Sequence, residues 1–475
     1  MAASVWKTCC STLKHVKLST KGVSFSARRY LLSEAYSCQD AWKQRLESST
    51  LQQGSLNEFA VQLRERFEKE KKASVVDVDI LANRLHEMEV TNAEFMEEIL
   101  HRFRRSVDSV PVNDSIVYAV VRAYIDLGLT DRLILLMKDK WNYGIFPNNH
   151  GVSFLLDHLI KENKYQDAAQ VAYEMMLQED FSHPVTYLLS LYGCSQHYTS
   201  ISLDPQEEKQ FDPDEEEDWI PVKYIRFPVY DDHFDIKDER FLMGKTLYIL
   251  GKTCQDEVLG RSLQFMGLGM YQKFEKAIKL LENWEKDQPG ILLLKEAVVK
   301  FEESLVKAET RPDEEPEIDM GLRSIDDEIK LLRLTADEKD NFIQQLNEIK
   351  SRIQEKVKDE DLQNIVENFT KSQISQHEQS DIEKQTNLIS TWTKERETLV
   401  ERQIWEFTRR QKEEELKTKL QDLQKKEEML RFFELRDEII IAKEKAPKVK
   451  PVEVEEDEEV IIAKRKKRRQ YRPAV

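Results

Sequence analysis

The sequence predicts an all-α protein, a solenoid of stacked helical hairpins followed by long C-terminal helices. Three observations carry that expectation. Glycine and proline are scarce, 13 of each in 475 residues, while charged residues reach 34%; such a chain is rich in helix formers and poor in breakers. Pro111, Pro147 and Pro184 stand 36 and 37 residues apart. Each leads into apolar residues spaced as one face of a helix.

Residues 1–29 carry Lys7, Lys14, Lys17, Lys21, Arg28 and Arg29, with eight Ser or Thr, and the first acid is Glu34. A segment rich in base and hydroxyl, free of acid and lacking a continuous apolar core has the composition of a mitochondrial transit peptide. It is assigned to 1–30, with Arg28-Arg29-Tyr30 as the processing point. Removing six bases and no acid would take the net charge from −17 to −23.

Helical hairpins are expected over 31–203. Val78, Leu81, Leu85 and Met88 mark one first helix, and Thr91-Asn92-Ala93-Glu94 reads as the capping box of its partner, which carries Phe95, Ile99 and Phe103. After Pro111, Val117, Val120, Val121 and Tyr124 fall at i, i+3, i+4, i+7; Gly128 breaks the pattern, and Leu133, Leu136 and Met137 open a second helix. After Pro147 come Leu155 and Leu159, a turn at Lys161–Lys164, then Ala168, Val171, Ala172 and Met175. Hairpins of this kind cannot bury their apolar faces alone, so neighbours must stack. A fourth begins at Val185–Tyr192. It is interrupted at 204–219, where Asp204–Asp218 holds nine acids against one lysine, the composition of a solvated loop. Over 220–309, Trp219–Phe227 reads as a short extended segment or an irregular connector. Asp238–Leu250, Asp256–Phe265, Tyr271–Glu285 and Ile291–Ala308 resume as helices.

Two features place the repeat among known types. Tyr143-Gly144-Ile145-Phe146-Pro147-Asn148, a helix, then Tyr165-Gln166-Asp167-Ala168-Ala169 and Glu174-Met175-Met176 resemble a pentatricopeptide repeat. With Arg29–Tyr36 following a transit-like segment, and with Leu188–Tyr192, the chain is similar to the pentatricopeptide-repeat family of the mitochondrial small ribosomal subunit. The resemblance covers roughly 29–305, more loosely to about 440. It implies a structural ribosomal protein of the mitochondrial matrix that contacts small-subunit ribosomal RNA and neighbouring ribosomal proteins, with no catalysis.

In this repeat class each hairpin offers one base a few side chains, from its first helix and its end. Carried over, the first-helix position falls on Val117 and Ser153, and the repeat-end position on Asn148 and Val185. A valine in each pair cannot supply a base-edge hydrogen bond, so sequence reading is expected to be lost. Phosphate or shape contacts are assigned to Arg102, Arg104, Arg105, Arg122, Lys161 and Lys164, an assignment weighed against an ordinary solvated helix surface. Two other functions stay open: a free mitochondrial RNA-processing or translation factor, and a protein-only scaffold whose acidity needs no RNA.

Arg311–Pro316 reads as a linker (310–317) and 318–445 as a helical arm that docks on a partner. From Thr393 to about Lys443 there is no Gly or Pro, and Leu416, Leu420, Leu423, Leu430 and Phe433 form a broken apolar stripe among Glu–Lys pairs. Strict heptads are not sustained, which argues against a long coiled coil. The tail, 446–475, is acidic and then basic. Its Lys464, Arg465, Lys466, Lys467, Arg468 and Arg469 suit phosphate, although the same run also fits a nuclear localisation signal or a solvated tail.

No GxxxxGK[ST], HExxH or GxSxG pattern occurs, and Gly267-Leu268-Gly269 is a lone fragment. Cys9, Cys10, Cys38, Cys194 and Cys254 form no CxxC pair and read as reduced thiols. No cofactor, metal, small-molecule substrate or catalytic residue is expected, nor a membrane partner, because no stretch nears the ~20 apolar residues of a spanning helix.

Overall fold

The computed structural model describes residues 31–52, 54–70, 74–87, 93–106, 114–204, 231–287, 290–311 and 333–446. The transit-like segment, Thr91-Asn92, Pro111, the acidic run beyond Asp204, Trp219–Phe227, 312–332 and the tail with Lys464–Arg469 lie outside them. Two compact units divide the chain, Met1–Val400 and Glu401–Val475.

The first unit is all-α. It runs through α1 (Gln39–Gln44), α2 (Leu56–Glu70), α3 (Val75–Asn83), α4 (Ala93–Arg104), α5 (Asp114–Asp126), α6 (Thr130–Lys138), α7 (Asn149–Lys161), α8 (Tyr165–Leu177) and α9 (Pro184–His197). The first helices α3, α5, α7 and α9 pack one on the next, and the second helices α6, α8 and α10 (Glu239–Thr253) form a parallel row. The apolar faces read from the sequence supply the contacts: Val117, Val120, Val121, Tyr124, Leu155, Leu159, Val171 and Met175 are all buried. Boundaries follow local chemistry. The Asn148 side chain accepts from the Gly151 amide and caps α7. Pro184 opens α9, where its missing N–H costs nothing. Gly128 takes φ +71° where α5 turns into α6, a left-handed conformation open to glycine.

Beyond the interrupted hairpin come α11 (Glu257–Met270), α12 (Phe274–Asp287), β1 (Leu293–Leu294) and α13 (Lys295–Val306). The glycines of α10 and α11 have a packing role. A Cβ on Gly244 would lie 2.7 Å from the Gly267 carbonyl oxygen, and one on Gly251 2.7 Å from that of Gly260. The two backbones touch through facing glycine pairs, which explains Gly267 without any ligand loop. A second core cluster joins α11–α13 to α14 (Ala336–Ile353), through Phe265, Phe301 and Ile349 among others. Val357–Lys358 (β2) pairs in parallel with β1.

Helix α15 (Leu362–Glu434) departs from the expected arm. Its buried residues Leu362, Val366, Thr370, Ile374, Asp381, Gln385, Ile389, Trp392 and Arg396 lie three, four or seven positions apart, one stripe, and Leu362, Val366, Ile374, Ile389 and Trp392 join the main core. Residues 362–396 are therefore packed in the first unit.

In the second unit, which holds the rest of α15 and α16 (Arg436–Lys445), no side chain between 401 and 446 is buried. Leu416, Leu420, Leu423 and Leu430 stand 58–65% exposed, beside i, i+4 ion pairs such as Arg409–Glu413 at 2.8 Å.

Candidate nucleic-acid interface

The first helices α3, α5, α7 and α9 share one face of the stack, and that face carries polar side chains. It offers Asp79 and Asn83 from α3, Ser115, Tyr118 and Arg122 from α5, Asn148 and His150 at the start of α7, and His183 before α9. Two segments of the same chain cover it.

The first is the N-terminal stretch 31–51. The Tyr36 ring stacks on His150, centroids 4.5 Å apart at an interplanar angle of 9°. Trp42 meets Tyr118 edge-on at 5.2 Å. Arg45 lies 3.2 Å over the Trp42 ring and donates to Asn83 Oδ1 at 3.2 Å. Burial, then the nearby Arg396 and Arg122 guanidiniums, lowers the pKa of Arg45 to about 9.

The second is α15, running antiparallel to the order of the repeats. Asp381 Oδ2 lies 3.1 Å from His183 Nε2. Gln385 Oε1 accepts from Asn148 Nδ2 at 3.4 Å. The Trp392 ring tilts against Tyr118 at 5.5 Å. Arg396 closes the row, its Nε 2.6 Å from Asp79 Oδ2 and its Nη2 donating to Ser115 Oγ at 3.1 Å. Glu378 and Glu397 tie the helix to Ser33 and Ser48 of the N-terminal stretch. Burial lowers the pKa of His150 to about 4, against a smaller opposing effect of its hydrogen bond to the Tyr36 carbonyl.

The residues assigned to RNA fall into three groups. Arg122 and Ser153 are interior, and the structure corrects their assignment. Arg122 is 1% exposed, between the Trp42 and Phe154 rings, and its guanidinium donates to the Ser37 carbonyl, the Gln39 side chain and the Tyr118 hydroxyl. Ser153 is fully buried and bonds Thr186 Oγ1 at 2.9 Å across the α7–α9 contact. Val117 and Val185 are core. Each of these side chains holds adjacent elements together, so none has a surface to offer.

A second group is half-exposed and engaged within the chain. Asn148 caps α7, Lys161 pairs with Asp157 at 2.5 Å, and Lys164 pairs with Glu162 at 3.0 Å and Asp131 at 3.7 Å. Burial raises the pKa of Asp157, against the lowering effect of Lys161.

The third group sits at the end of α4. Arg102 pairs with Glu98 at 2.5 Å, while Arg104 and Arg105 are exposed. Arg105 donates to Asn142 Oδ1 at 3.1 Å, and Arg104 lies across Gly144, where a Cβ would fall 2.7 Å from its Nε. Both therefore flank the turn after α6, which presents Trp141 at 91% exposure. That indole was not among the residues singled out from the sequence; only its place in a polar turn beside Lys138 and Lys140 could have drawn attention to it.

Residues 1–422 match the family model described as mitochondrial 28S ribosomal protein S27. The chain belongs to that family. As a member it is a protein of the mitochondrial small ribosomal subunit, located in the ribosome within the matrix, and the family points to a structural role. Among the described residues, no group of three His, Cys, Asp or Glu side chains could hold a metal, and no helix is long and apolar enough to cross a membrane.

Proposed function

We propose that this S27-family chain supports mitochondrial translation as a structural component that binds small-subunit ribosomal RNA outside its repeat face and holds neighbouring ribosomal proteins. The observation that carries this reading is the division of its basic residues. Arg122 and Arg396 are buried in the interior, whereas Arg104 and Arg105 are exposed at the turn that carries Trp141. Exposed guanidiniums at a turn that also presents an open indole suit phosphates and an unstacked base. Lys464–Arg469 would add phosphate contacts, and 1–30 would be removed on import. The hairpins are taken as pentatricopeptide-type units stacked as a solenoid, kept for shape. A base code is missing, which favours this reading over a free RNA-processing factor. The exposed leucines at 416–430, on a helix of balanced charge, suit an apolar surface of a neighbouring protein better than RNA.

Sedimentation of mitochondrial lysate with ultraviolet cross-linking tests the proposal. The expected result is co-migration with the small subunit at high salt and RNA cross-links at Trp141 or in the basic tail. Migration free of ribosomes would overturn the assembly role. Co-migration with no RNA cross-link anywhere in the chain would leave a protein-only scaffold.

A further inference from the structure

We infer that the first-helix face of these repeats is a peptide-binding groove whose ligand is the chain's own α15, residues 378–397, seated permanently where a single-stranded RNA would lie in a repeat of this type. The inference deepens the proposed function by fixing where RNA does not bind.

Its basis is the register. One side chain of this segment, here called the strap, meets each repeat: Asp381 the α9 repeat through His183, Gln385 the α7 repeat through Asn148, Trp392 the α5 repeat through Tyr118, and Arg396 the α3 repeat through Asp79. Each contact matches the group it faces. A carboxylate meets an imidazole, an amide meets an amide, an indole meets a phenol, and a guanidinium meets a carboxylate. A helix advances 1.5 Å per residue, so the spacing of 15 residues from Asp381 to Arg396 lays these groups over roughly 22 Å. That span reaches four first helices packed in succession.

The second basis is desolvation. Asp79 and Arg396 side chains are 4% and 2% exposed. Lifting the strap would rehydrate both but expose Trp392 and Ile389, each under a tenth exposed. The N-terminal stretch closes the other side, since Cys38 Sγ lies 3.8 Å from the Ile382 carbonyl and 3.9 Å from Thr386 Oγ1. RNA could enter only by displacing both segments. A polyanion would also meet acids on or next to this face, Asp79 under Arg396 at one end and Asp157 near Glu378 towards the other.

Cys38, 7% exposed beneath the strap, reports closure directly. Maleimide labelling of the native full chain, mapped by mass spectrometry, should modify Cys38 at least ~100-fold more slowly than in the urea-unfolded chain. A ~20-nucleotide single-stranded RNA pool of random sequence should leave that rate unchanged. A Thr386→Cys variant can then be oxidised onto Cys38 to lock the strap. Locked and reduced forms are expected to bind the same pool equally, within about twofold, with no cross-link at Tyr118, Asn148 or His183. Acceleration of Cys38 labelling by RNA would overturn the inference. So would tenfold tighter binding by the reduced form, or cross-links on the face. Should the variant misfold, the labelling of the natural chain decides alone. Loss of co-sedimentation with the small subunit would sink the ribosomal role without touching the Cys38 result.

Discussion

Replacing Arg396 by Met tests the strap at its most buried anchor. The wild-type guanidinium, 2% exposed, stands 2.6 Å from Asp79 and also bonds Ser115. Removing it leaves an unpaired carboxylate in the interior, a change that typically costs about 3–5 kcal/mol. At about 1.4 kcal/mol per factor of ten, the strap should open about two to three and a half orders of magnitude more often. A global melt would not isolate the strap, because a local opening can precede unfolding of the rest. Labelling of Cys38 is better, since its rate follows the local opening equilibrium while reclosing is fast. Asp79→Leu in the same chain removes the orphaned charge. The double variant should therefore be protected by at least ~2 kcal/mol more than the sum of the two singles implies. Additive single effects below about 1 kcal/mol would refute the argument, for they would mean that the pair is solvated and the strap is not seated.

Three further expectations follow from other parts of the molecule. His150 has its pKa lowered to about 4 against an ordinary value of about 6.5. The unfolded chain thus takes up a proton that the folded chain refuses. This contribution is complete above about pH 6.5 and is lost as pH falls towards 4, by roughly 2 kcal/mol at pH 5. Urea titrations at pH 7.5 and 5 should show a smaller acid loss in His150→Gln than in the natural chain; equal losses would remove His150 as the cause. Gly267→Ala places a Cβ 2.6 Å from both the Gly244 carbonyl oxygen and the Tyr248 amide nitrogen, and should destabilise by about 1–3 kcal/mol, an effect that an unchanged melting temperature would exclude. Arg104→Glu with Arg105→Glu should weaken binding to small-subunit ribosomal RNA and flatten its salt dependence, leaving Cys38 protection unchanged. An unaltered salt slope would move the RNA contact off the α4 terminus.

Much of the helical framework was legible because it obeys a simple period. Val117, Val120, Val121 and Tyr124 are apolar, sit on one face and are buried, as are Ala168, Val171, Ala172 and Met175. The strap was hidden for the converse reason. Its buried stripe includes Thr370, Asp381, Gln385 and Arg396, and a helix that buries polar groups has no contrast between its faces. A pattern count looking for apolar residues passes over it and settles on Leu416–Leu430, which stays exposed. The site residues divide the same way. Charge alone could not separate Arg122 from Arg105, because what decides is whether aromatic rings and carbonyl groups surround the guanidinium, and Trp42, Phe154 and Ser37 are distant in sequence.

The same contrast bears on why the face formed by the first helices is polar. If the face had only to pack a helix, leucines would do so at lower cost, since buried ion pairs seldom add net stability over well-packed apolar groups. Register is what polar groups add. An apolar stripe of period near 3.6 can slide by one turn along an apolar groove and keep most of its burial. Moving Asp381 or Arg396 by one turn would instead strand His183, Asp79 and an arginine, each slip leaving buried charge without a partner. The polar seam thus fixes where α15 begins and ends on the repeats. For a structural protein of a ribosomal subunit, a fixed register turns a helical stack into a part of defined dimensions.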